Sequence, residues 1–429
     1  MNSTSLSTRQ FLIIAIGSAV FLRLLLMPFF AHVDLFSEYR RIFYAIDNDL
    51  ILANSHRVVT YYIEMFFAGL TKLLVPIADT TFYLADPQKS TSSLQDYFLF
   101  LQDPYIYRYL FLFKLPYLLF DLAVAGIIWR FVDSPNLKRI ALLLWLFNPL
   151  TLFATYIFGR FEVIGIFFLA LSAYQLKLHR VWMASIWFGI ALHCREINLL
   201  FTPFLLIAII DFKDHFIKNL LVVAGCAATT GVLFLFPDWF LAKFGDINLF
   251  VDPDVNHTSG TINKLFSLGY YWFFPVVFGL AALAIYTWET GNPAGANAGH
   301  AERYVVAAAI SMFVYFAFNV HSVHYAAWLV IFPILSIQFG RKVVLPFLVL
   351  FGVWVLLWLL KTDGGVFTPF LAAPLSMEFV NTGHFPTYFM RELATEDISL
   401  HRSIQIMRTL FAVAMAFFCY RLLKRSAAS

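Results

Sequence analysis

Charge is what this chain has least of. Asp, Glu, Lys and Arg together make up 13% of its 429 residues, about half the share a soluble domain carries. Too little polar material is present to cover a water-exposed surface. Cysteine is nearly absent, and Cys194, Cys226 and Cys419 all lie inside apolar runs. Their spacing offers neither a disulfide framework nor a zinc site. A basic stripe is missing too: the net charge of +4 is spread along the chain, which excludes a nucleic-acid surface. The first apolar run, Phe11 to about Phe30, ends in Met27-Pro28-Phe29-Phe30 without a small-x-small cleavage site. It is therefore expected to persist as a membrane span rather than to be removed as a leader.

What fills the space is apolar and aromatic. Hydrophobic residues reach 61%, aromatics 19%, with 50 Phe, and the mean hydropathy is +0.75. A helix of about 20 apolar residues crosses a bilayer. Such runs fall at roughly 11–30, 108–131, 139–158, 161–178, 217–236, 265–288, 304–320, 323–339, 343–360 and 403–423. The stretch 181–211 is too long for one span and is interrupted by His193-Cys194-Arg195-Glu196-Ile197-Asn198, so two short helices are expected to meet there. The expected fold is an all-α polytopic membrane protein of about 12 transmembrane helices, two of them short.

Lys and Arg concentrate in alternate short loops, at Arg130/Lys138/Arg139, Lys177/Arg180, Lys213/Lys218, Arg303, Arg341/Lys342 and Arg421/Lys424/Arg425. The positive-inside rule then puts these loops and both termini in the cytoplasm. Long loops at 31–107, 237–264 and 361–402 face outward. The first carries the apolar segment 58–77, which contains Glu64 and Lys72 and is expected to lie as a helix on the membrane surface. Residues 290–301 (TGNPAGANAGHA) read as a flexible inner linker. The chain, 1–429, is taken as a single transmembrane domain.

Ionisable groups at membrane depth are costly and mark function or pairing. Here they gather at the outward ends of the spans. Asp34 and Glu38, four residues apart just past the first span, share a helix face. A partly desolvated carboxylate can serve as a general base; on spacing alone a helix cap with arginine partners explains it better. Gly159-Arg160-Phe161-Glu162 forms a tight turn. Arg160 can hold a phosphate and Glu162 contact a substrate hydroxyl, or the pair can snorkel to the headgroups. His321 and His324 sit at another outer corner. His-x-x-His alone lacks the ligands zinc needs, so two imidazoles offering N–H groups to an anion is the functional reading, and buried structural histidines the other. Arg195 and Glu196 at the break can neutralise one another. Lys114 and Asp121, flanking Pro116, are expected to pair with neighbouring helices. Asp252, Asp254 and His257 lie in the 237–264 loop, whose polarity solvation explains.

As an ordered series these segments resemble the GT-C glycosyltransferases. The series comprises a carboxylate just beyond span one in a long first outer loop, Lys114-Leu115-Pro116-Tyr117-Leu118-Leu119-Phe120-Asp121-Leu122, Leu146-Phe147-Asn148-Pro149-Leu150, and Gly159-Arg160-Phe161-Glu162. It continues with His193-Cys194-Arg195-Glu196-Ile197-Asn198 before Pro203, and His321-Ser322-Val323-His324-Tyr325-Ala326-Ala327-Trp328 before Pro333. The nearest likeness is to GPI mannosyltransferase I and to bacterial polyprenyl-phosphate-mannose-dependent mannosyltransferases. The chain departs from them in reading His56-Arg57-Val58-Val59-Thr60-Tyr61 where many relatives are Pro-rich, and in lacking Asp-x-Asp after span one. The resemblance implies inverting transfer of a hexose, mannose foremost, from a polyprenyl-phosphate sugar to a lipid-linked or glycan acceptor. The reaction would run on the outer face of a bacterial or archaeal plasma membrane, or on the lumenal face of the endoplasmic reticulum. Asp34 would be the base, with Glu38 beside it. Arg160, His321, His324 and Arg195 would hold the donor phosphate, and Glu162 and His257 would contact the sugar or acceptor. No cofactor or metal is implied. The alternative is a transporter or flippase for a lipid-linked or anionic solute, which would place broken helices and charges at the bilayer midplane.

Overall fold

The computed structural model describes residues 7–47, 51–52, 57–75, 94–209, 299–318, 323–340, 342–360 and 371–381. It also describes scattered residues between 221 and 250 and between 409 and 421. The regular structure among these residues is helical, apart from one two-residue parallel pairing of Ile51–Leu52 with Leu249–Phe250.

Three helices are long and apolar enough to cross a membrane: Thr8–Leu26, Ile106–Phe131 and Pro135–Phe158. Shorter apolar helices accompany them, including Val181–Leu192 and Val344–Val355. The chain is thus a membrane-embedded helical protein. The Thr8–Leu26 helix opens on a capping box in which Ser7 and Gln10 satisfy each other's backbone amides. Its outer surface exposes Ile13, Ile14, Phe21 and Leu25, as a lipid-facing helix does.

The interior is tied together by the few charges the spans contain. Arg23 Nε donates to Asp121 Oδ2 at 2.6 Å, and the same carboxylate accepts from Trp145 Nε1 and Tyr156 OH, each at 2.7 Å. Lys114 Nζ donates to the carbonyls of Met27 at 3.0 Å, Tyr156 at 2.8 Å, and Phe30. Lys114 and Asp121 therefore pair with neighbouring helices, as their place in the sequence suggested. Asp121 and Lys114 each meet several hydrogen-bonding partners, the condition under which burial of a charge is tolerable.

Two expected spans are not regular α-helix throughout. The 139–158 segment starts earlier, at Pro135, and its α-helix stops at Leu146. Pro149 disfavours helical backbone at the residue before it, so Asn148 instead caps Leu150 N with its side chain at 3.0 Å. The chain continues through Pro149–Leu152 into a π-helical turn, Phe153–Phe158. The 323–339 segment is not one helix either. It runs as a 3-10 stretch Val323–Leu329, a short α-helix Ile331–Ser336 and a 3-10 turn Ile337–Phe339. Pro333 sits in the first turn of that helix, where its missing N–H costs nothing. The 181–211 stretch divides as expected. Val181–Leu192 gives way to a 3-10 stretch, Glu196–Phe201, and then to Thr202–Ile209.

The first loop contributes Val33–Asp47, Val58–Leu74 and Leu94–Leu101. The Val58–Leu74 helix buries Thr60, Tyr61, Glu64 and Thr71 while Tyr62, Phe66, Leu73 and Leu74 are exposed. Its polar side faces the protein and its apolar side faces outward, the orientation of an element bordering lipid. The linker at 290–301 lies outside the described residues up to Ala298; Gly299 leads directly into the His300–Phe318 helix.

Candidate active site

The end of the first span and the π-helical turn come together through one lysine. Lys114 grips the Met27 and Phe30 carbonyls that lead to Asp34, and the Tyr156 carbonyl that leads to Arg160. Between them lies Gly159, with φ of +85°. A Cβ there would come within 2.9 Å of Leu35 Cδ2 and 3.3 Å of Lys114 Cε, so only glycine permits both the left-handed turn and the close approach. The Arg160 amide then closes the turn by donating to Ala154 O at 2.9 Å.

The result places Arg160 Nη1 at 3.1 Å from Asp34 Oδ2. Arg160 Nε lies 3.7 Å from Glu162 Oε1, and Arg195 Nη2 lies 4.0 Å from the same oxygen. Arg195 Nη2 also donates to Tyr325 OH at 2.7 Å. His32 stacks on Phe158 with ring centroids 3.9 Å apart, and His324 meets the same ring at 4.2 Å. Glu38 accepts from Arg57 Nη1 at 2.7 Å, so its arginine partner comes from the next helix of the loop. The guanidiniums of Arg57, Arg160 and Arg195 pack around the one ring of Phe161, at 5.2, 4.8 and 5.3 Å from its centroid. Cations over an aromatic face are attracted to it, and this ring holds three of them in one place.

Asp34, Glu38, Arg160, Glu162, Arg195 and His324, separated by up to 290 residues (324 − 34), therefore belong to one cluster. His321 and His257 lie outside the described residues. The cluster grades from open to closed: the Asp34 side chain is 40% exposed and that of Glu162 only 1%. Three residues of this cluster carry no distinguishing signal in the sequence. Phe161 is one phenylalanine among 50, Arg57 follows no spacing rule, and His32 reads as part of a polar loop. Glu64 had a signal, a carboxylate on an apolar helix, but no partner could be named for it.

Electrostatics divide the carboxylates. Burial pushes the Asp34 carboxyl up, but the His32 ring, Arg160 and His324 outweigh it and hold it well below the usual carboxylate range. His32 Nδ1 already accepts the Asp34 amide at 3.1 Å, so its 3.4 Å approach to Asp34 Oδ1 is a contact rather than a hydrogen bond in the neutral ring. Arg160 is the direct partner. Burial likewise pushes Glu38 up, and Arg57, Arg41 and Arg160 bring it below its ordinary value. Glu64 goes the other way. It is fully buried, and burial together with the nearby Glu38 charge pushes it up to about 8. Its Oε1 accepts from Tyr117 OH at 2.5 Å.

A separate groove of about 590 Å³ lies between the Pro135–Leu146 and Val344–Leu360 helices, lined by Ile140, Leu144, Phe147, Leu348 and Phe351. Aromatic rings connect it with the charged cluster: Phe351 to Trp354 at 6.3 Å, Trp354 to Phe153 at 5.4 Å, and Phe153 to Phe158 at 6.2 Å.

No protein-family model matches the chain, and neither a curated protein nor a solved structure matches it. Its function is argued from the cluster itself.

Proposed function

We propose that this protein is an integral membrane glycosyltransferase that moves a hexose, mannose foremost, from a polyprenyl-phosphate donor to a lipid-linked or glycan acceptor, inverting the anomeric carbon. The observation that carries the reading is the convergence of Asp34, Arg160, Glu162, Arg195 and His324 at one end of the bundle. A half-open carboxylate beside a set of buried cations and imidazoles suits a reaction that takes a proton from one partner and stabilises an anion on the other.

In this reading the acceptor hydroxyl oxygen attacks the anomeric carbon opposite the phosphate. The bond from that carbon to the phosphate oxygen breaks and its electron pair leaves on the phosphate. The hydroxyl proton passes to Asp34. Arg160 and Arg195, with the His321/His324 corner, stabilise the departing phosphate, and the lipid tail lies in an apolar groove such as the one below Phe153. In the resting site Arg160 is bound to Asp34, which depresses its basicity. The donor phosphate competes for that guanidinium, and its arrival raises the basicity of Asp34 when a base is needed. The active end faces the outside or the lumen, both termini face the cytoplasm, and the bundle comprises about twelve spans in a GT-C-like arrangement. The transport alternative requires free charges within the spans. Arg23, Lys114 and Asp121 are engaged in structural hydrogen bonds, which supports the enzyme over the transporter.

The test is direct. The purified chain in lipid nanodiscs is given mannosyl-, glucosyl- and galactosyl-phosphopolyprenol carrying labelled sugar, with a lipid extract as acceptor. The expected result is label transfer from one donor, lost in Asp34→Asn. Absence of transfer and of hydrolysis from all three, with uptake of labelled lipid-linked solute into sealed vesicles, would replace the enzyme by the transporter.

A further inference from the structure

Glu162 poses a problem that the charge balance of the site does not solve. It is 1% exposed, and neither carboxylate oxygen receives a hydrogen bond. Its two guanidinium neighbours stand off at 3.7 and 4.0 Å, close enough to balance the charge and too far for a good hydrogen bond. Those same arginines each keep a buried N–H without an acceptor, Arg160 Nε and Arg195 Nη1. His324, 4% exposed, has both ring nitrogens unpartnered. A buried carboxylate left this way is costly, and such groups in a native protein require an explanation.

Phe161 explains why the gap stays open. Its ring packs against both Arg160 and Arg195, at 4.8 and 5.3 Å from its centroid, and Arg195 Nη2 donates to Tyr325 OH. The two guanidiniums are fixed by these contacts and do not close on Glu162. What remains is a pair of acceptor oxygens facing N–H groups that need acceptors. An anion cannot bridge them, because it repels the carboxylate. A second cation cannot either, because it repels the arginines. A hydroxyl suits both sides, since it donates one hydrogen bond while accepting others. One carboxylate offers two such positions side by side, which match two neighbouring hydroxyls on a ring.

Resting on the glycosyl-transfer reading above, we infer that Glu162 is the sugar-reading group of the site: its two oxygens accept two adjacent hydroxyls of the transferred hexose. The arginines donate to the same hydroxyl oxygens, and Glu162 thereby sets which hexose is used. Division of labour follows from geometry. Asp34 and Arg160 Nη1 sit at the open side, where the acceptor and phosphate meet. Glu162 sits behind Arg160, where the non-reacting part of the sugar must go.

The experiment uses the full chain in nanodiscs and whichever hexosyl-phosphopolyprenol it accepts, together with the four monodeoxy derivatives of that donor at positions 2, 3, 4 and 6. Wild type is expected to lose about 10- to 100-fold in kcat/KM for two adjacent positions, the worth of one hydrogen bond to a charged group, and little for the others. Glu162→Gln should reduce the loss at those two positions to about threefold or less, because an amide oxygen and an N–H replace two acceptors. Glu162→Asp keeps the charge between the arginines and withdraws the oxygens. It serves if the glutamine variant does not fold, and is expected to relax the same two positions. Unchanged discrimination in a folded variant, or wild-type sensitivity at non-adjacent positions, overturns the inference while the glycosyltransferase stands. Failure of the wild type to use any hexosyl-phosphopolyprenol overturns both.

Discussion

Arg160 Nη1 lies 3.1 Å from Asp34 Oδ2, so the group suited to hold a phosphate and the group suited to take a proton hold one another. Each is set by a different segment, and Lys114 ties the two segments together. A site built this way is switched by whatever competes for Arg160.

Asp34→Asn tests the base. It preserves shape and removes the proton acceptor, so turnover should fall by about 10²- to 10⁴-fold. Donor affinity should stay the same or tighten, because Arg160 is no longer held by a charge. Glu38→Gln should be milder, since Glu38 is engaged with Arg57 at 2.7 Å. The check is steady-state transfer together with donor binding by each variant. Wild-type turnover in Asp34→Asn would reduce Asp34 to a structural partner of Arg160.

Arg160 should also appear in the pH profile. The kcat/KM dependence reports groups of the free enzyme, in which Arg160 helps to hold the Asp34 carboxyl low. Wild-type kcat/KM should therefore stay flat as pH falls to about 5. In Arg160→Ala the carboxyl rises, and the acid limb should move up by about 1–3 pH units on top of weakened donor binding. Arg160→Lys retains the charge and should keep the limb low while losing affinity, because a point charge cannot reproduce a planar fork. An acid limb that does not move in Arg160→Ala would remove Arg160 as the control on Asp34.

Much of this was legible in the sequence, and the limits have physical causes. The span from Ile106, the helix from Glu162 and the broken helix at His193 follow from apolar length and polar interruption. Asp34, Arg160, Glu162, Arg195 and His324 stand out because charge is expensive in so apolar a chain. What periodicity could not supply was partnership. Arg160 pairs with Asp34 across 126 residues, and no local pattern encodes that. Phe161, which gathers three guanidiniums, looks like any other phenylalanine of the chain. Pro333 and Pro116 look alike in the sequence, yet Pro116 lies inside the continuous Ile106–Phe131 helix while 323–339 divides, so proline alone does not say where a span breaks.

Two buried charges on one helix should behave differently when removed. Asp121→Asn leaves Arg23 uncompensated and should cost about 3–5 kcal/mol of stability, with donor affinity unchanged in protein that remains folded. Lys114→Met strips three carbonyls of their donor and also unties the segments that present Asp34 and Arg160. It should lose turnover beyond its loss of stability. Thermal midpoints in detergent and transfer rates below the midpoint separate the two effects. Equal turnover in the two variants would deny Lys114 its role in aligning the site.

Sidedness is open to chemical labelling. Tyr97, in the first loop, is a poor reporter because it is fully buried and its hydroxyl donates to Ala31 O at 3.0 Å. Gln102, on the same loop, and Asn136, at the opposite end of the Ile106–Phe131 helix, are exposed. With Cys194, Cys226 and Cys419 replaced by serine, Gln102→Cys should react with an impermeant thiol reagent added to intact cells. Asn136→Cys should react only after the membrane is opened. The reverse pattern would invert the proposed orientation and move the charged cluster to the cytoplasmic face.

Glu64 gives a stability signature with a definite sign. Burial and the Glu38 charge raise its carboxyl to about 8, so the folded chain holds a proton that the unfolded chain releases above the ordinary carboxylate range. Between the two values the native state binds more protons than the unfolded state, and stability must fall as pH rises. The contribution is fully present below the ordinary carboxylate range and is lost through pH 8, after which it levels off. Glu38, with its lowered carboxyl, contributes the opposite slope, but only on the acid side of its ordinary value. Glu64→Gln stays neutral throughout and still offers Tyr117 an acceptor oxygen. Its thermal midpoint should exceed that of wild type by an amount that grows from pH 5 to pH 8, reaching on the order of a few kcal/mol in stability. A difference that stays constant across that range would mean Glu64 is ionised in the folded protein, and its hydrogen bond with Tyr117 would then be one to a buried carboxylate.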